Sequence, residues 1–124
     1  MSKKNIEKYI PKALEVLEAN FGSTIPSSYN GYISSFGASI IQSGLKPTLA
    51  LFENENAQTL EKKKLLTTVI LNILDSKTKE SSLLRYILNS KEDSNYLKQK
   101  IIDISIAIKL SIRTFKLEKG VKDE

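Results

Sequence analysis

Apolar residues recur at spacings of three and four positions along most of the chain, which is the pattern of amphipathic helices. In the first segment Lys4, Lys8 and Lys12 occupy a different face from the apolar residues. Pro11 removes one backbone donor there, so we expect a kink or a frayed turn before it unless the helix starts at this residue. The apolar face of this predicted helix consists of Ile6, Tyr9, Ile10, Ala13, Leu14, Leu17 and Phe21.

Glycine and proline divide the next part of the chain. The segment from Phe21 to Pro26 contains a glycine, two hydroxyl residues and a proline, which predicts a loop. A second helix is expected from about Ser27 to Ser43, ended by Gly44 in the left-handed backbone conformation that often follows a helix, with Leu45 making the accompanying apolar contact. Proline suits the first position of a helix, so Pro47 to Glu53 reads as a short third helix.

Three more helices are predicted in the second half of the chain. The fourth runs from Ala57 to Asp75, and after a polar turn the fifth runs from Ser81 to Ser90. The sixth is the longest, from Ser94 to about Lys119, with Gly120 as its stop. Residues 119–124 are expected to be a frayed tail. The core stripe of the sixth helix consists of Leu97, Ile101, Ile104, Ile108, Ser111 and Phe115.

The composition supports a helical fold. A chain of 124 residues is long enough for one core and too short for two independent ones. Five glycines and three prolines leave few breaks for a fold made of many strands and turns. We therefore predict an all-α fold, a single-domain bundle of about six helices over residues 1–124 with a long C-terminal helix.

The balance of charge indicates an acidic partner. Nineteen Lys and Arg against 14 Asp and Glu give a net charge of +5, and only two of the cations are arginines. Lysine acts as a point charge, whereas arginine offers a planar fork, so contacts with nucleic acid are expected at phosphates. There is no cysteine, no apolar run long enough to span a membrane and no signal-like core. We expect a cytoplasmic protein that does not associate with membranes.

Little in the chain indicates catalysis. It has no histidine and no cysteine, which removes the usual proton shuttle, the best nucleophile and the commonest transition-metal ligands. The carboxylate pairs Glu53/Glu55 and Glu92/Asp93 lie in polar sequence near helix ends, where solvation of the helix end is the simpler role. We expect no enzyme, no cofactor, no metal and no small-molecule substrate; a small hydrolase with paired acids is the remaining catalytic alternative.

Cations line one side of the predicted sixth helix. Lys98, Lys109, Arg113 and Lys116, together with Ser105, project within about 80° of one another at roughly 100° per residue. We call these four cations the C-terminal basic row; as one helix they would span about 27 Å. The row predicts contact with successive phosphates of one RNA strand. The alternative is an ordinary solvated face, and Ile102 on the same side is a candidate contact with a partner subunit.

A second group of cations is the triplet Lys62, Lys63 and Lys64 near the start of the fourth helix. The helix macrodipole disfavours cations at that end, so the triplet indicates an anionic partner, although Glu61 offsets part of the charge. The alternative is again a solvated surface. Most aromatic residues lie on predicted core stripes, so the sequence gives little support for stacking on bases.

The corner between the second and third helices resembles a known family. Within residues 29–52, a helix ends in Ile41-Gln42-Ser43-Gly44-Leu45 and is followed by a short helix containing Leu49-Ala50-Leu51-Phe52. This arrangement is similar to the small subunit of the type III-B CRISPR (Cmr) effector. The chain length, the segment Ile10-Pro11-Lys12-Ala13-Leu14 and the basic last helix extend the resemblance over most of the chain.

The resemblance implies a non-catalytic, all-helical subunit of an RNA-targeting ribonucleoprotein. Such a subunit stacks with copies of itself as the minor filament, contacts other Cmr subunits and holds the crRNA and target RNA through phosphates without reading their sequence. No cofactor is implied. The alternative from the residues themselves is a helical adaptor that binds only protein, with its lysines serving solubility.

Overall fold

The computed structural model describes residues 3–53 and 60–118, without the side chains of residues 60–62 and 118. Within these residues the chain is an all-α bundle of six helices, as predicted. The predicted loop at 54–56, the predicted start of the fourth helix at Ala57, the stop at Gly120 and the tail at 119–124 lie outside the described residues. The elements are α1 (Lys3–Phe21), β1 (Thr24–Pro26), α2 (Ser28–Ser43), α3 (Leu45–Phe52), α4 (Leu60–Leu74), α5 (Leu83–Asn89), α6 (Ser94–Ile112) and β2 (Lys116–Glu118).

Helix α1 continues through Pro11, which lies on the exposed side of the helix. Proline costs the helix one backbone hydrogen bond and a local steric contact. Burial further along the same helix offsets this cost, since Ala13, Val16 and Leu17 are removed from water. Helix α1 packs against α6 and α4, so tertiary contacts hold both sides of the proline in one helix.

At the corner between α2 and α3 the predicted positive φ of Gly44 is present, although its ψ of 166° lies outside the left-handed helical region. Gly44 has a φ of 97°, its amide donates to the Ile40 carbonyl at 2.9 Å, and Leu45 beside it is buried. Helix α3 begins at Leu45, earlier than predicted, because Pro47 fits any first-turn position, where the amide has no partner within the helix. The buried hydroxyl of Thr48 lies 2.7 Å from that of Ser39 and ties the two helices together.

Helix α6 runs through the centre of the bundle and packs against α1, α2 and α4. Its apolar side includes Ile101, Ile104 and Ile108, which are fully buried. Phe36 of α2 and Phe52 of α3 meet edge to face, with their ring centroids 5.2 Å apart. Near the two ends of α6, Tyr96 and Leu110 are exposed.

Helix α6 ends at Ile112, so the predicted continuation to about Lys119 is wrong. The amide of Thr114 donates to the Ser111 carbonyl and that of Phe115 to the Ile112 carbonyl, each at 3.0 Å, which tightens the chain into a turn. The Thr114 hydroxyl bonds to the same Ser111 carbonyl at 2.8 Å. A hydroxyl that competes for backbone groups in this way weakens a helix.

The residues after this turn form β2, which pairs in parallel with β1. Lys116 lies opposite Thr24, and Leu117 lies opposite the fully buried Ile25. The segment predicted as a loop before α2 therefore contributes a strand, and the segment predicted as the end of α6 contributes its partner. Within residues 3–53 and 60–118, no helix is both long and apolar enough to cross a bilayer.

Candidate nucleic-acid interface

At the N-terminal end of α6, Lys98 faces an open cleft of about 280 Å³. The cleft lies between the starts of α3 and α6, with α5 as its third wall, and Lys46 of α3 lines it as well. Lys46 is exposed and Lys98 is half-buried. We call these two residues the N-terminal pair. Two segments that are far apart in sequence thus bring two ammonium groups to one concave surface.

At the other end of α6, Lys109 and Arg113 form what we call the C-terminal pair. Arg113 caps the helix with φ −65° and ψ −16°, so the backbone is still helical there and the two side chains project one turn apart. Arg113 is exposed and Lys109 is half-buried. Cations in the last turn of a helix are also favoured by its macrodipole, which gives this pair a structural role as well.

The C-terminal basic row is therefore not one uninterrupted helical stripe. Ser105, on the same side between the two pairs, is only 4% exposed, and its hydroxyl lies 3.9 Å from the position that a Cβ on Gly37 would occupy. Helix α2 thus covers the middle of this side near Gly37. The two pairs are separated by about 16 Å along the axis. Lys116 is exposed but belongs to β2, beyond the helix.

The four cations of the C-terminal basic row have no ion-pair partner among the described residues. Within the described residues, no carboxylate lies within ion-pair distance of Lys98, Lys109, Arg113 or Lys116, and the ion pair found there joins Lys12 and Glu15 of α1 at 3.8 Å. The nearest acid in sequence to Lys98 on α6, the buried Asp103, accepts a hydrogen bond from Gln99 at 3.1 Å and lies roughly 140° around the helix from Lys98.

The lysine triplet lies at the start of α4, as predicted, but its members do not share one environment. The Lys63 ammonium lies 5.3 Å from the ring centroid of Phe52 and 5.8 Å from that of Tyr32, where it makes cation–π contacts. Lys64 is half-buried. The side chain of Lys62 lies outside the described part. Lys63 thus has an aromatic environment that explains its position without an anion.

Sequence reasoning missed two groups of residues on and around α6. Lys46 carried no signal, because only the tertiary packing of α3 beside α6 brings it to Lys98. A second basic and aromatic patch lies on another side of α6, where the Lys100 ammonium is 4.7 Å from the ring centroid of Tyr96. The same ammonium interacts electrostatically with Tyr9 of α1. Burial raises the pKa of Tyr9, and the Lys100 charge opposes that rise. The four-residue spacing of Tyr96 and Lys100 was a signal available in the sequence.

An apolar groove of about 310 Å³ lies between α1 and α6. Ile6 and Ile10 line one side, although the sequence pattern places them on the core face, and Ile106 and Leu110 line the other. Leu110 is 41% exposed. Apolar side chains at a four-residue spacing on two neighbouring helices form the kind of surface that a partner protein covers.

The carboxylates of the described part are not gathered into a metal site. No group of three or more acids there is arranged to hold a metal ion. Asp93, from one of the candidate acid pairs, caps α6 by accepting a hydrogen bond from the Tyr96 amide at 3.0 Å. Glu55, from the other pair, lies outside the described residues. No acid lines the cleft beside Lys98.

The described residues form a small helical bundle with cations at both ends of α6 and an apolar groove between α1 and α6. The family model for CRISPR-associated protein (Cas_Cmr5) matches residues 3–105, which is most of the chain. The protein therefore belongs to this family and is a small subunit of the type III-B Cmr complex, which confirms the resemblance seen at the α2–α3 corner. No curated protein and no solved structure gave a significant match.

Proposed function

We propose that this Cmr subunit is a non-catalytic, single-domain scaffold protein of the cytoplasm that stacks with copies of itself as the minor filament. In that position it contacts other Cmr subunits and holds the target RNA and crRNA through their phosphates, without reading base sequence. Specificity in such an assembly comes from pairing between guide and target, so its small subunit needs only to position the strand.

The observation that carries this proposal is the pair of cation sites at the two ends of α6. Each site has two positive charges at the surface and no carboxylate partner among the described residues. Their separation along α6 is about 16 Å, which is enough for one strand to contact both sites through different phosphates. Lysine dominates the sites, and its single ammonium neutralises phosphate without distinguishing bases.

The proposal is tested by measuring binding of the complete chain to fluorescently labelled single-stranded RNA over a range of salt concentrations. The wild type is expected to bind weakly, with an affinity that falls steeply as salt rises. Reversing all four charges of the row (K98E/K109E/R113E/K116E) should lower affinity by about a hundredfold or more, because phosphates then meet four like charges.

A matched control separates local contact from overall charge. The triple variant K98E/K109E/R113E is compared with K77E/K79E/R85E, which changes the net charge equally at exposed positions of the α4–α5 loop and α5. We expect the first variant to lose binding and the second to keep most of it. Equal losses in both would show that the row has no special role, and wild-type binding by the four-charge variant would contradict the proposal outright.

The apolar groove between α1 and α6 favours a second candidate, a helical adaptor that binds only protein. In that case the groove would account for association with other Cmr subunits, and the lysines would serve solubility. Purification of the assembled complex followed by nuclease treatment distinguishes the two. A segment of RNA protected by this subunit and lost with the charge-reversed variant favours the scaffold that holds RNA, whereas unchanged protection favours the adaptor.

A further inference from the structure

The cleft at the N-terminal end of α6 combines positive charge with an apolar floor. Lys46 and Lys98 stand on its walls, whereas Leu45, Pro47 and Ile87 supply the apolar surface between them. Its volume of about 280 Å³ is close to the lower end of the range for small-molecule sites, about 300–1,000 Å³. A cleft of this size fits one small planar group and is too small for a helix of a partner protein.

The charges around the cleft favour an anionic occupant. Its lining contains two lysines and no acid, and neither lysine has a carboxylate partner among the described residues. Two like charges facing one concave surface repel each other, so an anion placed between them is stabilised by both. The Tyr96 amide in the first turn of α6 is already bonded to Asp93, so the attraction for an anion comes from the two lysines.

The apolar floor favours an occupant that has an apolar part as well as a negative charge. A bare phosphate would leave the exposed Pro47 and the small accessible parts of Leu45 and Ile87 in contact with water, whereas an occupant with a flat apolar face beside its anionic group would cover them. A nucleotide has both parts, and bases splayed out of a single strand are commonly held against apolar side chains. Asn95 at the rim offers an amide that can donate to or accept from a base edge.

We infer that this cleft holds one splayed nucleotide of a bound single-stranded RNA. Its base lies against Leu45, Pro47 and Ile87, and its phosphate lies between Lys46 and Lys98. This inference rests on the proposed function, because it names the contact that the strand makes at one end of α6. An acidic peptide segment is the competing occupant, since it would satisfy the two charges without needing a flat apolar surface.

The base contact is measured with an oligoadenylate of about ten nucleotides, within the range of single-strand site sizes, that carries one 2-aminopurine. The fluorescence of this adenine analogue is quenched by stacking on neighbouring bases, and the chain contains no tryptophan to interfere. Binding to the complete wild-type chain should raise the fluorescence as the base leaves its stack. The rise should disappear in K46E/K98E and in Asn95→Phe, which fills the cleft from an exposed position, and should persist in the matched variant K77E/K79E.

A second measurement compares the same oligomer with one of equal length that has abasic riboses and therefore the same phosphates. We expect the oligomer with bases to bind the wild type about threefold to tenfold more tightly, and this difference to vanish in Asn95→Phe. Equal affinities for the two oligomers, or displacement of the RNA by oligoglutamate of the same charge as effectively as by oligoadenylate, would overturn the inference.

The outcomes separate this inference from the proposed function. If RNA binds with the expected salt dependence but 2-aminopurine fluorescence does not rise, the cleft contains no base and only the cleft assignment is wrong. If the complete wild-type chain and the assembled complex show no contact between this subunit and RNA, both the proposed function and the cleft assignment are wrong.

Discussion

The two ends of α6 carry the same charge in different ways. At the C-terminal end, Lys109 and Arg113 come from consecutive turns of one helix and stand on an open surface. At the N-terminal end, Lys46 and Lys98 come from different helices and share a cleft with apolar walls. Local helix geometry is sufficient for the first site, whereas the second exists only while α3 is held beside α6. The first site offers positive charge alone, whereas the second offers positive charge beside an apolar cleft.

The difference also follows the extent of the family match, which includes Lys46 and Lys98 but ends before Lys109. The cleft is thus built from the part of the chain that resembles the family, next to the Gly44-Leu45 corner. The C-terminal pair lies beyond it, beside the turn that leads into β2. Experiments that disturb one end at a time therefore test whether the two sites act independently.

The largest effect is expected from Gly44→Ala, which acts on the corner that positions Lys46. Gly44 has φ 97° and ψ 166°, a region that is essentially restricted to glycine. An added Cβ would lie 3.7 Å from the Pro47 side chain, an ordinary contact, so the cost is conformational. We expect the free energy of unfolding to fall by about 1–3 kcal/mol, measured by urea denaturation followed by circular dichroism.

Gly31→Ala is the matched control, because Gly31 lies on the exposed side of α2 at a negative φ and with no atom within 4 Å of the added Cβ. Alanine favours a helix over glycine, so this variant should be more stable by up to about 1 kcal/mol. If Gly44→Ala were equally stabilising, the corner would be adaptable and the N-terminal pair would not depend on its geometry.

Alkaline pH is expected to have a smaller effect on stability. It acts through Tyr29, near the C-terminal end of α6. Tyr29 lies three residues beyond β1 and packs edge to face between Phe21 and Tyr32, with centroid distances of 4.9 and 5.5 Å. Burial, assisted by the neighbouring Tyr32, raises the pKa of Tyr29 to about 12. The unfolded chain loses this proton near pH 10, so the stability due to Tyr29 is complete below pH 10 and is lost as the pH rises towards 12.

The loss attributable to Tyr29 should be about 2 kcal/mol between pH 10 and 12, and Tyr29→Phe should lack it. The comparison uses urea unfolding of both proteins at each pH, since all other groups are common to both and their effects cancel in the difference. A variant whose stability falls as steeply as that of the wild type would show that Tyr29 ionises freely in the folded chain.

The contrast between the two ends of α6 also shows which parts of the fold could be predicted from the sequence alone. The helices and the Gly44 corner were predictable because periodicity and capping are local. The end of α6 was not predictable, because the apolar pattern continues to Phe115. In the structure, the Thr114 hydroxyl donates to the Ser111 carbonyl instead, and β2 pairs with β1, which is distant in sequence. Pairing of distant strands leaves no periodic signal in a three-residue segment.

The candidate site was predictable in the same uneven way. Lys109 and Arg113 follow from helical spacing, so the C-terminal pair could be found from the sequence. Lys98 was identified, but its neighbour Lys46 was not, because the packing of α3 beside α6 is decided by the whole core. Ser105 seemed to continue an exposed row, yet its small polar side chain packs opposite Gly37. Serine is compatible with either environment, so its burial could not be predicted.

The smallest expected effect distinguishes the two ends by their salt dependence. Neutralising one pair at a time, as K46Q/K98Q or K109Q/R113Q, should reduce affinity for single-stranded RNA by about tenfold in each case. Each variant should also reduce the slope of log affinity against log salt by about 1.4, because each loses two phosphate contacts. The exposed positions Lys77 and Lys79, changed to glutamine together, are the control and should leave the slope unchanged.

The two variants should then diverge in their preference for bases. Removing the C-terminal pair takes away charge alone, so the K109Q/R113Q variant should still prefer an oligomer with bases to an abasic one. The K46Q/K98Q variant should lose that preference together with its affinity, because a base stays on the apolar floor only if its phosphate is held. A preference retained by K46Q/K98Q would mean that the apolar floor binds the base unaided, whereas a preference lost by both variants would show that the two ends act as one site.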